Sequence, residues 1–231
     1  MRKNTERTEK TAVKPKSNPR NSKFHLDFPA KNGAAQKLAW MGYQNNDMLF
    51  MTGPAGTGKT YLAMAFAIND ILQGVRKKII LTRPIVQAGE DLGYLPGTFE
   101  EKVNPYMLPL LDSIYKLVGE DNPQRDLIDQ AIEFAPLAFL RGRTFDDSIC
   151  IFDESQNATM KQLKLFLTRF GKNSKVIVTG DPGQSDIPGP VALVDVMARL
   201  ESVPNIAMIK FSKDSIIRNP LITQIVERLG E

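Results

Sequence analysis

The sequence predicts an α/β domain, a mostly parallel sheet flanked by helices. Two observations predict it. From Phe24 onward, apolar runs of about five residues alternate with stretches of helical periodicity, and strands that short and uniformly apolar belong in a sheet covered on both faces. A glycine-rich turn, Gly53 to Gly58, joins one such run directly to a helical stretch. That is the strand–turn–helix order of parallel crossover units.

Taken in order, residues 1–23 are polar, contain Pro15 and Pro19 and show no apolar period, so they are expected to form a disordered basic tail. A single folded domain is expected over 24–231. Asn32 to Asn45 reads as a helix with Ala34, Leu38 and Met41 toward the core. Met48–Thr52 reads as a buried strand, followed by the glycine turn and a helix from Lys59 to about Gln73. Further strands are expected at Lys78–Thr82, Ser148–Phe152, Lys175–Thr179 and Ile206–Lys210. Helices are expected near Thr98–Val118, Pro123–Phe134, Thr159–Phe170, Pro190–Leu200 and Ser215–Leu229. The stretch from Arg83 to Gly97 has little periodicity, and long irregular connections in compact domains are often functional.

Composition narrows the function classes. The chain has 231 residues, 42% hydrophobic and 24% charged, an ordinary globular balance that argues against disordered, collagenous or membrane classes. No apolar run approaches the roughly 18 residues of a membrane-spanning helix, and MRKNTERTEK lacks the apolar core of a signal peptide. Cys150 is the single cysteine and His25 the single histidine, which excludes an internal disulfide and a metal site built from those residues. A cytoplasmic location is expected. Eight basic residues against Glu6 and Glu9 give residues 1–23 a net charge of +6, so 24–231 carry −2 of the total +4. The tail is thus the part suited to a polyanion.

Gly53-Pro54-Ala55-Gly56-Thr57-Gly58-Lys59-Thr60 is a full G-x-x-x-x-G-K-S/T sequence with a strand before it and a helix after, the context this phosphate-binding motif requires. Glycines let backbone N–H groups converge on an anion, and the helix N-terminus adds its positive dipole end. Lys59 is placed to sit between β- and γ-phosphates, and Thr60 to ligate Mg²⁺. Tyr61, next in the chain, is grouped with the nucleotide-binding residues.

Two further strands end in polar side chains. Ser148–Phe152 delivers Asp153 and Glu154 to the strand's C-terminal end, where open α/β sheets bind ligands. Asp153 is expected to hold Mg²⁺ and Glu154 to polarise the attacking water. No N-K-x-D guanine motif occurs, so ATP is expected rather than GTP. Val176–Thr179 runs into Gly180-Asp181-Pro182-Gly183-Gln184. Gln184 is expected to reach the γ-phosphate or position the lytic water, and Asp181 to bridge to lysine or metal-bound water.

At this level of detail the chain resembles the PhoH-like ATPases, relatives of the nucleotide-binding core of superfamily 1 helicases. The matching segments are GPAGTGKT (53–60), LTRP (81–84), EDLGYLPGTFEEKVNPYMLPLLD (90–112), PLAFLRGRTFDDSICIFDESQNAT (136–159), VIVTGDPGQSDIP (176–188) and SIIRNP (215–220). Where the family usually has DEAQN this chain has DESQN, with Ser155 in place of alanine and Asp153, Glu154 and Gln156 kept. The resemblance implies a RecA-like P-loop NTPase with an extra strand between the Walker-A and Walker-B strands. It implies that Gln36 reads adenine through N6 and N7. It also implies that Arg218 stabilises transition-state charge, from a neighbouring subunit or from the same chain. The implied assembly is a ring homo-oligomer, typically a hexamer, with ATP at subunit interfaces. Some relatives carry a fused RNase domain; 231 residues leave no room for one, and nuclease activity is not expected.

Arg83 in LTRP corresponds to a helicase motif that touches the nucleic-acid backbone. Arg141 and Arg143 are further candidates for RNA or single-stranded DNA, and Lys102 a weaker one; phosphate contacts need only well-placed cations. Two other readings remain open on the sequence: a P-loop kinase, which shares the 53–60 loop, and a nucleotide-dependent assembly factor without turnover.

Overall fold

The computed structural model describes residues 33–84, 99–119 and 122–215 together with Phe28 and Arg228; over 99–106 it describes the backbone alone. The expected tail over 1–23, most of the irregular stretch after Pro84, the last expected helix, Arg218 and the Lys102 side chain lie outside the described residues.

Among these residues six strands form one sheet: β1 (Met48–Thr52), β2 (Lys78–Thr82), β3 (Ile132–Phe134), β4 (Ser148–Phe152), β5 (Lys175–Gly180) and β6 (Ile206–Lys210). Their order across the sheet is β3-β2-β4-β5-β1-β6, and every adjacent pair is parallel. β5 thus lies between β1 and β4, the extra strand that the resemblance implied. The helices are α1 (Ala34–Asn45), α2 (Lys59–Leu72), α3 (Phe99–Val118), α4 (Arg125–Ala131), α5 (Met160–Leu167) and α6 (Ala192–Leu200).

β1 and β4 are buried along their whole length, and alternate residues serve opposite faces, as the two-residue period of a strand demands. Leu49, Met51, Ile79, Leu81, Ile149, Ile151 and Ile177 pack on the side covered by α1 to α4. Phe50, Ile80, Cys150, Phe152, Val176 and Val178 pack on the side covered by α5 and α6. The uniformly apolar strands follow from this two-sided cover.

Three expectations are corrected. On α1, Leu38 and Met41 are more than half exposed and Ala34 is exposed as well, while Gln36, Ala39 and Tyr43 face inward. Apolar residues occur on both sides of this helix, and the aromatic side decides: Tyr43 and Trp40 pack on Phe66 of α2 at centroid distances of 5.2 and 5.0 Å, burying more surface than Leu38 and Met41 offer. The helix expected over Pro123–Phe134 stops at Ala131. Ile132–Phe134 instead form β3, in register with Ile79–Leu81 of β2, because pairing with an open sheet edge satisfies their backbone groups. Finally, α5 ends at Leu167 rather than Phe170, which pairs with Phe145 in an isolated bridge. Its start is fixed by a capping box between Thr159 and Gln162, which satisfies two of the orphan N–H groups at the helix entrance.

All strands run the same way, so their C-terminal ends share one edge. The loops after β1, β4 and β5 meet there.

Candidate functional site: a phosphate loop between two polar strand ends

The loop after β1 is shaped by its glycines. Gly53, Gly56 and Gly58 have φ of 136°, 80° and 84°, values that residues with a Cβ rarely adopt. Gly53 is constrained in space too: a Cβ there would lie 2.3 Å from the Phe211 carbonyl oxygen. The Thr57 hydroxyl donates to the Pro54 carbonyl at 2.9 Å, closing the turn. Lys59 Nζ donates to the Gly53 and Pro54 carbonyls at 2.6 and 2.9 Å, so the ammonium lies over the loop that its own helix follows.

The acidic strand end meets this loop directly. Asp153 is buried, and its Oδ1 accepts from the Thr60 hydroxyl at 2.7 Å and from the Thr179 hydroxyl at 2.5 Å. Its backbone N–H donates to the Thr82 carbonyl at 2.9 Å. One carboxylate oxygen therefore ties together the ends of β1's following helix, β4 and β5. Glu154, the next residue, projects into the same cavity. Its Oε1 accepts from Arg83 at 3.4 Å, and its Oε2 from Gln156 Nε2 at 2.6 Å.

The cavity has a volume of about 320 Å³ and is lined by Ala55, Gly56 and the four residues from Gly58 to Tyr61, by Asp153 and Glu154, and by Gly180, Asp181 and Gln184. Three loops distant in sequence thus open on one space. Ser113 of α3 also lines it; sequence reading gave Ser113 no role, because its hydroxyl bonds its own helix at Pro109 and sits in no motif. Thr179 ends the apolar run of β5 and carries no local signal of a role; only the strand order brings its hydroxyl to Asp153. The added hydroxyl of Ser155 is fully buried and donates to the Thr179 carbonyl at 2.7 Å, so it braces β4's end against β5.

Other expected site residues fall elsewhere. Tyr61 borders the cavity and is half exposed. Gln36 is 2% exposed and does not line the cavity, and among the described residues neither its Nε2 nor its Oε1 has a hydrogen-bond partner. Arg141 is exposed on the turn before β4. Arg143 forms an ion pair with Glu133 and lies over the Phe145 ring at 4.5 Å. Arg83 faces Glu154. Burial, with Glu133 nearby, pushes the Cys150 thiol up to about 12, leaving it unreactive.

The donor set suits a hard cation. A buried carboxylate and a hydroxyl side by side are oxygen ligands of the kind Mg²⁺ takes, one or two from protein and the rest from phosphates and water. Among the described residues no group of three or more His, Cys, Asp or Glu stands together as a metal cluster. No helix among them is long and apolar enough to cross a membrane.

A family model described as PhoH-like protein matches residues 30–229. The PhoH-like protein of Bacillus subtilis is 48% identical over 186 residues, covering 80% of this chain and 58% of that protein. Protein PhoH of Escherichia coli K12 is 40% identical over 182 residues, covering 77% of this chain and 51% of that one. The chain spans between half and three-fifths of the length of these curated relatives. Among solved structures, the large terminase of the thermophilic bacteriophage D6E matches with a TM-score of 0.57 at 12% identity, over 89% of this chain and 51% of that one. Its complex with ADP matches with a TM-score of 0.56 at 12% identity, over 88% and 50%. That likeness is one of fold, the RecA-like P-loop arrangement of a parallel sheet with its glycine-rich loop after β1.

Proposed function

This chain belongs to the PhoH-like protein family, and from that premise we propose that it is an Mg²⁺-dependent ATPase, assembled as a ring and acting on RNA or single-stranded DNA. One observation carries the ATPase reading. Thr60, Asp153 and Thr179 meet at a single carboxylate oxygen beside a cavity that Glu154 and Gln184 also line.

Backbone N–H groups of residues 55–60 would receive the phosphates, with Lys59 neutralising charge between β and γ. Thr60 and Asp153 would hold the metal, which when bound would polarise the phosphate oxygens and offset their charge. Glu154 takes the proton of the attacking water, and Gln184 orients that water toward the γ-phosphorus. The water oxygen forms the new bond as the β–γ bridge breaks, and the ADP oxygen carries away the electron pair. Gln36, its amide unpaired among the described residues, is the residue we assign to adenine. Arg218 would come from the neighbouring subunit of a hexamer to stabilise the departing charge. Arg83, Arg141 and Arg143 remain the candidate phosphate contacts for nucleic acid, with the basic tail contributing. Cytoplasmic residence belongs to the same proposal, resting on one inert cysteine.

Steady-state ATP hydrolysis with Mg²⁺, with and without single-stranded RNA or DNA, tests it. Hydrolysis raised by one of the two supports the whole reading. Hydrolysis indifferent to both removes the nucleic acid, and no hydrolysis removes the ATPase.

A further inference from the structure

The segment after the acidic pair is bonded to the loop after β5 at several points, and Glu154 is held within that lacing. Glu154 has a left-handed backbone, φ 52° and ψ 38°, which costs a residue with a Cβ on the order of 1 kcal/mol and persists only where the surroundings enforce it. The enforcing contacts come from the next three side chains. Ser155 donates to the Thr179 carbonyl. Gln156 is 3% exposed; its Nε2 donates to Glu154 Oε2 at 2.6 Å and to the Gln184 carbonyl at 3.4 Å, while its Oε1 accepts from the Asp181 N–H at 3.0 Å. Asn157 exchanges two bonds with Asp186, its Nδ2 donating to Oδ2 at 2.7 Å and its Oδ1 accepting from the Asp186 N–H at 2.8 Å. The strand end even leaves room for this lacing. A Cβ at Gly180 would lie 2.8 Å from Ser155 Oγ and 3.0 Å from Gln156 Oε1.

We propose that Gln156 is a positioning residue that fixes the Glu154 carboxylate to the 181–187 loop, with Asn157 as a second clasp, so that the base and the loop bearing Gln184 are placed as one unit. The inference rests on the reading of Glu154 as the base. A buried amide bonded to a carboxylate on one side and to a loop N–H on the other cannot reorient for one without releasing the other. Glu154 and Gln184 therefore reach their working positions together.

The test uses the full chain and two variants. Gln156→Met keeps length and burial but makes no hydrogen bond. Asp186→Ala removes the second clasp from an exposed position, so it reports on the lacing even where Gln156→Met does not fold. For Gln156→Met, kcat should fall roughly ten- to a hundred-fold with KM for ATP within about two-fold, as for a misplaced catalytic group. Amide exchange over 181–187 should quicken without a change elsewhere. Asp186→Ala should shift kcat and exchange in the same direction by less. Adding Gln156→Met to Glu154→Gln should cost no further turnover, because both changes act through one carboxylate.

Wild-type kcat and unchanged exchange in both variants would overturn the proposal. So would a loss of kcat and ATP binding together with a lower melting temperature, the pattern of a purely structural role. Normal turnover in Glu154→Gln alone refutes the base instead, and exchange over 181–187 then decides the clasp by itself.

Discussion

Lys59 and Gly53 act through different physics and give different losses. In the proposed site Lys59 is the principal cation for the phosphates, so Lys59→Ala should weaken ATP binding by about 1.5–3 kcal/mol, more than ten-fold, and leave the fold intact. Titration with a fluorescent ATP analogue, beside a thermal melt, checks both halves; unchanged binding would remove the phosphate-site assignment. Gly53→Ala should fail on both. With φ at 136° and the Phe211 carbonyl 2.3 Å from the added Cβ, the loop must shift from β6's end, at a cost of more than about 2 kcal/mol. A melting temperature equal to wild type would show that the loop yields freely. The Gly53–Thr60 motif was legible from sequence because its demands are local, each residue type required by its own backbone or its own charge. The partners of Asp153 were not, since Thr179 lies on another strand.

Helix α1 is tied to α2 by a buried polar contact between Tyr43 and Asp70, the phenol donating to Oδ2 at 2.6 Å. Arg76 forms an ion pair with the same carboxylate, both side chains being 9% exposed. Tyr43→Phe removes one bond to a charged acceptor that keeps its cation, so about 1–2 kcal/mol of stability should be lost at neutral pH. Burial first, then the charge and hydrogen bond of Asp70, raise the Tyr43 phenol well above its ordinary value of 10.0. The fold thus binds this proton more tightly than the unfolded chain does. The contribution is complete below about pH 10 and falls as pH rises past that value. Urea unfolding near pH 8 and near pH 11 should show the gap between wild type and Tyr43→Phe narrowing at the higher pH; a constant gap would discount the shift. The same contact explains the misread face of α1. A helical wheel ranks residues by apolarity, whereas this helix is oriented by a ring that packs on Phe66 and a hydroxyl that needs Asp70.

At the scale of the whole molecule, Arg218 is the residue assigned to cross the boundary between subunits of the proposed ring. Mixing inactive Arg218→Ala with inactive Glu154→Gln should then restore a fraction of wild-type hydrolysis, since some mixed interfaces pair an intact Glu154 with an intact Arg218. Absence of any rescue across mixing ratios would place Arg218 in cis or remove it from catalysis. A sedimentation measurement of each variant establishes whether it assembles beyond a monomer.

Sequence by itself determined the α/β class, the strands at 48–52, 78–82, 148–152 and 206–210, and the glycine turn that joins the first of them to a helix, because apolar runs, glycine turns and a lysine at the helix start are signals carried within a few neighbouring residues. The tertiary structure decided which face of α1 is buried, that 132–134 joins the sheet edge, and how Thr60, Asp153 and Thr179 share an oxygen. It also decided that Gln156 bonds Glu154 to a loop 25 residues further on. Those outcomes depend on strand order, and strand order is set by the packing of all helices on both faces at once, which no local stretch of chain encodes.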